Sequence, residues 1–346
     1  MGQPLEWGRR YLMVRPDHFR IDYVINPYMS TQDQPDPELT LKQWDSLRQA
    51  IVDAGGEVEV LAQRPDSPDM VYAMNLGLAT ADGRAMLSHM RFEPRRKESP
   101  TAADWFTGHG FTLARPGSDG VGPHFESGDA FVFGDSLVVG YGPRTDAEAL
   151  KHLATEWGVR VRGLRITHEG MYHLDLPFCP VDSTHAMIYP LAFDAASQGE
   201  LFGIVPDPIV LTDEEAFAFS GNSIVVNETI IMPACSPRLH DILTGLGLRV
   251  VVLDLTEFHK AGGSARCLTN PLDFNLTPTT TPGGELILPA CTAGGRPSRR
   301  ASGSGRRLSG GAGGALSRPL SFLFEFTRFR TMGRWVIHRS LGRAIS

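Results

Sequence analysis

The chain has 346 residues, 42% of them hydrophobic, with 33 basic and 39 acidic side chains for a formal net charge of −6. Four cysteines without CxxC or CxxxC spacing speak against a disulfide scaffold and a structural zinc site and suit a reducing compartment. The opening segment MGQPLEWGRRYLMVRP lacks the apolar run of a signal peptide, and no stretch approaches the ~18 apolar residues of a membrane span, so a cytoplasmic chain is expected.

Taken in order, the chain repeats a strand, a turn, an amphipathic helix and a further strand. The first copy reads YVINPYM as a strand, then LKQWDSLRQAIVDAGG as a helix with Leu41, Trp44, Leu47 and Ile51 on one face, then EVEVLAQ as a strand. In the second, AFVFGDSLVVGYGPRT leads to the helix DAEALKHLATEWG, capped by Thr145 or Asp146, and to VRVRGLRI. The third runs from SIVVNETIIMPACSP through RLHDILTGLG to LRVVVLDL, so the terminating glycines Gly56, Gly158 and Gly247 fall 102 and 89 residues apart. MIYPLAFDAASQGELFGIVPDPIVLTDEEAF supplies a fourth, degenerate module, and a short strand near Cys267 completes a fifth with the N-terminal strand. Hairpin turns inside the units, at Phe-Gly-Asp-Ser and Val-Asn-Glu-Thr, disfavour an all-parallel sheet and favour modules set around a ring.

After Asp273 the composition changes. Residues 274–346 hold 11 arginines, no lysine and two acids, a balance of +9 that leaves the preceding residues at −15. Residues 274–320 are Gly/Ser/Arg-rich and are expected to be disordered, and 321–346 mix aromatics with arginines, as in a basic helix resting on a membrane or nucleic acid. The plainer reading is a non-functional extension, and its lysine-free character suits translation in a shifted frame of a GC-rich gene.

Chemistry-bearing residues cluster at strand ends. Cys267 follows two glycines and small residues in KAGGSARCLTNPL, which lets a substrate approach closely, although a lone cysteine is more often core. His173 and Asp175, two apart in MYHLDLPF, share a face; Glu126 and Asp129 flank a Ser-Gly turn in PHFESGDAFVF; Asp69 stands in PDSPDMVYAMN. Each alone is compatible with a structural role, whereas a thiol, an imidazole and several carboxylates together form the set used in thiol catalysis.

The order Asp69…Asn75, Glu126-x-Gly-Asp129, His173-Leu-Asp175 and GGSARCxxxPL resembles the guanidino-group-modifying, or pentein, superfamily over residues 11–273. That superfamily includes dimethylarginine dimethylaminohydrolase, arginine deiminase, arginine dihydrolase and the amidinotransferases. The resemblance implies an α/β fold, a five-fold pseudo-symmetric propeller of ββαβ-type modules. It also implies that Cys267 attacks the guanidino carbon, that His173 serves as acid and then base, and that Glu126 and Asp175 bond the guanidinium. Asp69 fixes the substrate end of the pocket, and Asp129 stands with these as a substrate-side carboxylate. Arg144 resembles the arginine that holds the substrate carboxylate; Arg91 is a weaker match, with Arg95 or Arg96 as alternatives. Asn75 replaces the second carboxylate of most deiminases and dimethylargininases, and with Asn26 it is similar to the dihydrolase branch. The implied partner is a small-molecule guanidino substrate, with no cofactor and no metal. Neither nucleic acid nor membrane is expected for the body, and homo-oligomerisation stays open. An amidinotransferase and a non-catalytic member of the fold are the competing readings.

Overall fold

RYLMVR, Arg10–Arg15, buries four consecutive apolar or aromatic residues, as a strand covered on both faces must. In the computed structural model, which describes residues 2–117, 121–289, 330–331 and 334–335, this strand pairs in parallel with Glu57–Ala62 and antiparallel with Asn270–Pro271, joining the two ends of the fold in one sheet. The helix between the parallel strands, Pro37–Asp53, starts where Asp36 accepts from the Leu39 amide and proline occupies the first turn. It buries Trp44, Leu47 and Ile51.

The expected strand YVINPYM is instead a loop. Pro27 has no amide to give to a ladder, and the Asn26 side chain accepts from the Tyr28 amide at 3.0 Å, closing a local turn that competes with extension. The hairpin units form as expected. Ala130–Phe133 and Ser136–Tyr141 are antiparallel, and after the helix Ala147–Trp157 the strand Arg160–Arg165 returns parallel. Ile224–Val226, Thr229–Met232, the helix Pro237–Gly245 and Arg249–Val252 repeat the pattern. So do Phe178–Pro180, His185–Ile188, the helix Ala195–Ile204 and Asp207–Val210. Gly158 ends its helix in the left-handed conformation at φ 63°, whereas the first helix turns off through Gly55, not Gly56.

One further unit was not legible in the sequence: Gly77–Ala79, Arg84–Leu87, the helix Glu98–Gly108 and Thr112–Ala114. Its strands are short and built on Gly and Ala, residues with weak strand preference. The larger compact unit, Met1–Ala293, therefore contains five sheets in which a middle strand is antiparallel to one neighbour and parallel to the other.

The boundary after Asp273 is also corrected. Phe274 is fully buried with its ring 4.6 Å from Trp7, and Asp273 accepts from the Gly8 and Arg9 amides. Glu285–Ile287 adds a fourth strand beside Arg160–Arg165. Residues 274–289 are thus ordered, because an apolar ring and a strand edge are available to bury. The rest of the segment expected to be disordered lies outside the described residues. Of the C-terminal basic segment, Arg330–Thr331 and Arg334–Trp335 are described as an antiparallel pair rather than a helix, and the remainder lies outside. Among the described residues no helix is long and apolar enough to cross a membrane.

Candidate active site

The five sheets share one feature that matters for chemistry: the residues just before the first strand of each unit converge. Asn75 precedes Gly77–Ala79, Asp129 precedes Ala130–Phe133, Asp175 precedes Phe178–Pro180, Asn222 precedes Ile224–Val226 and Cys267 precedes Asn270–Pro271. All five are buried. A small cavity opens beside two of them, Asn75 and Cys267, with His173, Asp69, Asn26, Arg95 and Arg144 also in its wall and Tyr72 and Tyr172 as aromatic sides.

The thiol of Cys267 lies 3.2 Å from Asp175 Oδ2 and 3.1 Å from Asn222 Nδ2. Burial, reinforced by the Asp175 charge, raises its pKa well above the ordinary thiol value, so the resting group is a neutral thiol donating to Asp175. The glycines ahead of it are there for space: a Cβ on Gly263 would lie 2.3 Å from the Tyr72 ring and 3.1 Å from Cys267 Cβ.

His173 Nε2 is 2.8 Å from Glu126 Oε2, which also accepts from Arg144 Nη1 at 3.0 Å, while Glu126 Oε1 accepts from the Arg91 amide at 3.1 Å. Burial works to raise the Glu126 pKa, yet the Arg144 guanidinium and the His173 contact together hold it well below the usual carboxylate range. Arg144 is itself held between the Phe92 and Tyr172 rings, 4.7 Å from each centroid.

Several sequence expectations change place. Glu126 stands behind His173 with both oxygens occupied, and it is not among the residues of the cavity wall. The Arg91 side chain pairs with Asp146 and is turned to that partner, whereas Arg95 reaches the cavity wall, fully buried and doubly bonded to Glu98 at 2.8 Å. Arg96 Nε donates to the Met90 carbonyl. Asn26 meets the cavity while donating to the Ala261 carbonyl at 3.0 Å, and Asn75 Oδ1 accepts from the Gly128 amide at 3.0 Å. Asn222 had not been singled out. Its signal was an internal repeat, Ser127-Gly-Asp129 before AFVF and Ser220-Gly-Asn222 before SIVV.

Asp129 supports the frame: Oδ1 accepts from the Leu174 amide at 2.9 Å. Burial pushes its pKa up to about 7 against the pull of His173. Between the unperturbed carboxylate value, about 4, and pH 7 the folded chain keeps a proton that the unfolded chain releases, so stability falls as pH rises through that window. Asparagine preserves the acceptor without the proton. Asp129→Asn is therefore expected to flatten that slope and to raise the Tm at pH 8 above the native value, measured by thermal unfolding across pH; parallel slopes for the two proteins would refute it.

Five buried carboxylates (Asp69, Glu98, Glu126, Asp129, Asp175) surround this region against three buried guanidiniums (Arg95, Arg144, Arg266). Asp69 Oδ1 and Asp175 Oδ1 have no donor. Among the described residues no group of three His, Cys, Asp or Glu side chains is placed to hold a metal ion.

Residues 15–274 match the family model described as N,N dimethylarginine dimethylhydrolase, eukaryotic. The bifunctional arginine dihydrolase/ornithine cyclodeaminase AgrE of Nostoc sp. is 35% identical over 265 residues, which are 75% of this chain and 37% of that protein, so the chain spans little more than a third of this relative. The N(G),N(G)-dimethylarginine dimethylaminohydrolase of Mycobacterium tuberculosis is 32% identical over 263 residues, 75% of this chain and 85% of the relative. The solved N-terminal domain of ArgZ, from Synechocystis sp., was captured covalently bonded to a reaction intermediate. It is similar at a TM-score of 0.72 and 34% identity, covering 81% of this chain and 99% of that domain.

Proposed function

The chain belongs to the N,N dimethylarginine dimethylhydrolase family, within the guanidino-group-modifying superfamily, and on that premise we propose that it is a thiol hydrolase acting at the guanidino carbon of arginine. The observation that carries the reading is the cavity itself. A pocket that sets a buried thiol and an imidazole in one wall, with an acid oxygen lacking a donor on Asp69 in that wall and another on Asp175, which is bonded to the thiol, suits a planar cation carrying a fork of N–H donors. The five sheets of common pattern support a five-fold propeller arrangement, in which equivalent turns deliver their residues to one centre.

The Cys267 thiol passes its proton to His173 as the sulfur bonds to the guanidino carbon. His173 protonates the departing nitrogen, which leaves as ammonia or, from a methylated substrate, as an amine. The same imidazole then takes a proton from water as the oxygen bonds to that carbon and the C–S bond breaks, giving a ureido product and the free thiol. Glu126 is the counter-ion for the imidazolium in each half. Arg144 and Arg95, both in the cavity wall, are suited to the substrate carboxylate. Asn75 is an amide where a carboxylate would bind the guanidinium as an ion pair, and this favours arginine over its methylated forms and a second hydrolytic round. Arginine and two waters then give ornithine, carbon dioxide and two ammonia.

Mass spectrometry of products from arginine and from asymmetric dimethylarginine, with Cys267→Ser as the control, tests the reading. Ornithine with ammonia is the expected result. Citrulline with dimethylamine would make the chain a dimethylargininase, and no Cys267-dependent turnover of either compound would overturn the hydrolase reading in favour of an amidinotransferase or a binding protein.

A further inference from the structure

We propose that Asn222 is a catalytic residue: its side-chain amide is a one-way hydrogen-bond donor to the Cys267 sulfur and stabilises the thiolate that attacks. The argument rests on the hydrolase reading for the identity of the nucleophile and on geometry for the rest.

An asparagine side chain has one acceptor oxygen and one donor nitrogen, and density alone seldom tells them apart; the surrounding partners decide. Here they decide it fully. Oδ1 faces two backbone N–H groups, those of Arg266 at 3.1 Å and Cys267 at 3.2 Å, which can only donate. Nδ2 must therefore face the other way, toward the Asp175 carbonyl at 2.8 Å and the Cys267 sulfur at 3.1 Å. The side chain is fully buried and cannot rotate without losing all of these bonds. Its N–H is thus aimed at the sulfur before substrate arrives, with no reorganisation needed when charge develops there.

The sulfur needs such a donor. In the resting state the thiol donates to Asp175 Oδ2, but once the proton has gone that carboxylate becomes a neighbouring like charge. The Ser264 backbone amide also bonds the sulfur, but the other side chains around it offer less. Arg266 is buried beside it, yet its guanidinium stacks on Phe131 at 4.6 Å and donates no hydrogen bond from Nε, Nη1 or Nη2. Tyr72 and Tyr172 send their hydroxyls to the Phe258 and Gly262 carbonyls, and His173 is turned to Glu126. Asn222 is left as the side chain that meets the sulfur with an N–H in both protonation states. A hydrogen bond to a charged acceptor contributes enough to change a rate or an ionisation ratio about ten- to a hundredfold.

The test is the pH dependence of Cys267 alkylation by iodoacetamide in the full chain, which needs no turnover and so stands even if the hydrolase reading fails. Asn222→Asp keeps an acceptor for the Arg266 and Cys267 amides and replaces the donor with an oxygen. Asn222→Ala removes both. Both variants are expected to alkylate at least tenfold more slowly at pH 8, with the midpoint moved to higher pH. On arginine, both should lose kcat about tenfold while KM stays within about twofold. An Asn222→Asp profile superimposed on the native one, whatever the alanine variant does, would reduce Asn222 to a structural support and overturn the proposal. Should neither variant fold, the side-chain amide protons of Asn222 in the native protein, followed by NMR, are expected to shift as the thiol titrates; an invariant signal overturns it as well.

Discussion

Glu126→Gln is expected to lower kcat on arginine by roughly three orders of magnitude while the protein still folds. The carboxylate accepts from three donors of different kinds: the His173 ring, the Arg144 guanidinium and the Arg91 backbone amide. Glutamine offers one acceptor and one donor in the same outline. If its oxygen serves His173 and Arg144, its NH2 is pressed against the Arg91 N–H; if it is flipped, the NH2 opposes Arg144 and His173. Either choice leaves a buried donor without an acceptor, which costs about 1–3 kcal/mol of stability. The larger loss is in the chemistry. His173 is proposed to carry a proton twice per cycle, and Glu126 is the buried negative charge that neutralises the imidazolium each time. Removing the equivalent charge from a Ser-His-Asp triad lowers kcat about 10⁴-fold. Steady-state kinetics with circular dichroism as the folding control would decide it: a folded variant with kcat within tenfold of native would show that Glu126 only holds the frame. A second signature separates the roles. Glu126 has its pKa held well below the usual range, so in the native protein its contribution to stability is present above the unfolded value and is lost as pH falls. The variant should lack that part of the acid dependence.

How the site follows from the sequence can be seen residue by residue. The hairpin units were legible because FGDS and VNET are local turn signals flanked by apolar runs, and local chemistry survives folding. YVINPYM misled because its composition suits a strand while Asn26 and Pro27 close a turn, which tertiary contacts of Ile25, Asn26 and Tyr28 then hold. Arg91 and Arg95 are four residues apart, and nothing in HMRFEPRRKE says which faces the cavity. Asp146, 55 residues on, takes Arg91, and Glu98 takes Arg95. The resemblance put Glu126 on the guanidinium, but a motif does not reveal whether a carboxylate touches substrate or the histidine behind it. Asn222 was available as the second half of the Ser-Gly-Asp/Ser-Gly-Asn repeat. It passed unseen because an asparagine in a turn has an ordinary local explanation.

Gly128→Ala is expected to reduce kcat about a hundredfold and to lower stability by about 1–3 kcal/mol, the usual range for overpacking a tight interior. Gly128 sits where three site residues meet. A Cβ built there would lie 2.7 Å from Asn75 Oδ1, 3.3 Å from Asp175 Oδ2 and 3.3 Å from His173 Nδ1. The first contact is closer than real Cβ atoms approach oxygen, and the Asn75 amide has nowhere easy to go, since its Oδ1 is already bonded to the Gly128 amide and the side chain is buried. The main chain ties the site together at the same place: the Gly128 carbonyl accepts from the Asp175 amide at 3.0 Å. Displacing Gly128 therefore moves the wall residue Asn75 and the thiol's partner Asp175 in one step. A displacement of about 1 Å among reacting groups can lower a rate about 10²-fold. Gly199, inside the helix Ala195–Ile204 with open space around the Cβ position, gives the matched control. Gly199→Ala adds the same methyl where it favours the helix, and it is expected to leave kcat unchanged and raise stability by about 0.5–1 kcal/mol. Equal activity in the two variants, with matching Tm values, would mean that the convergence at Gly128 has slack that its distances do not suggest. A selective loss in Gly128→Ala would locate the tolerance of the site at the one position where a methyl group touches all three residues at once.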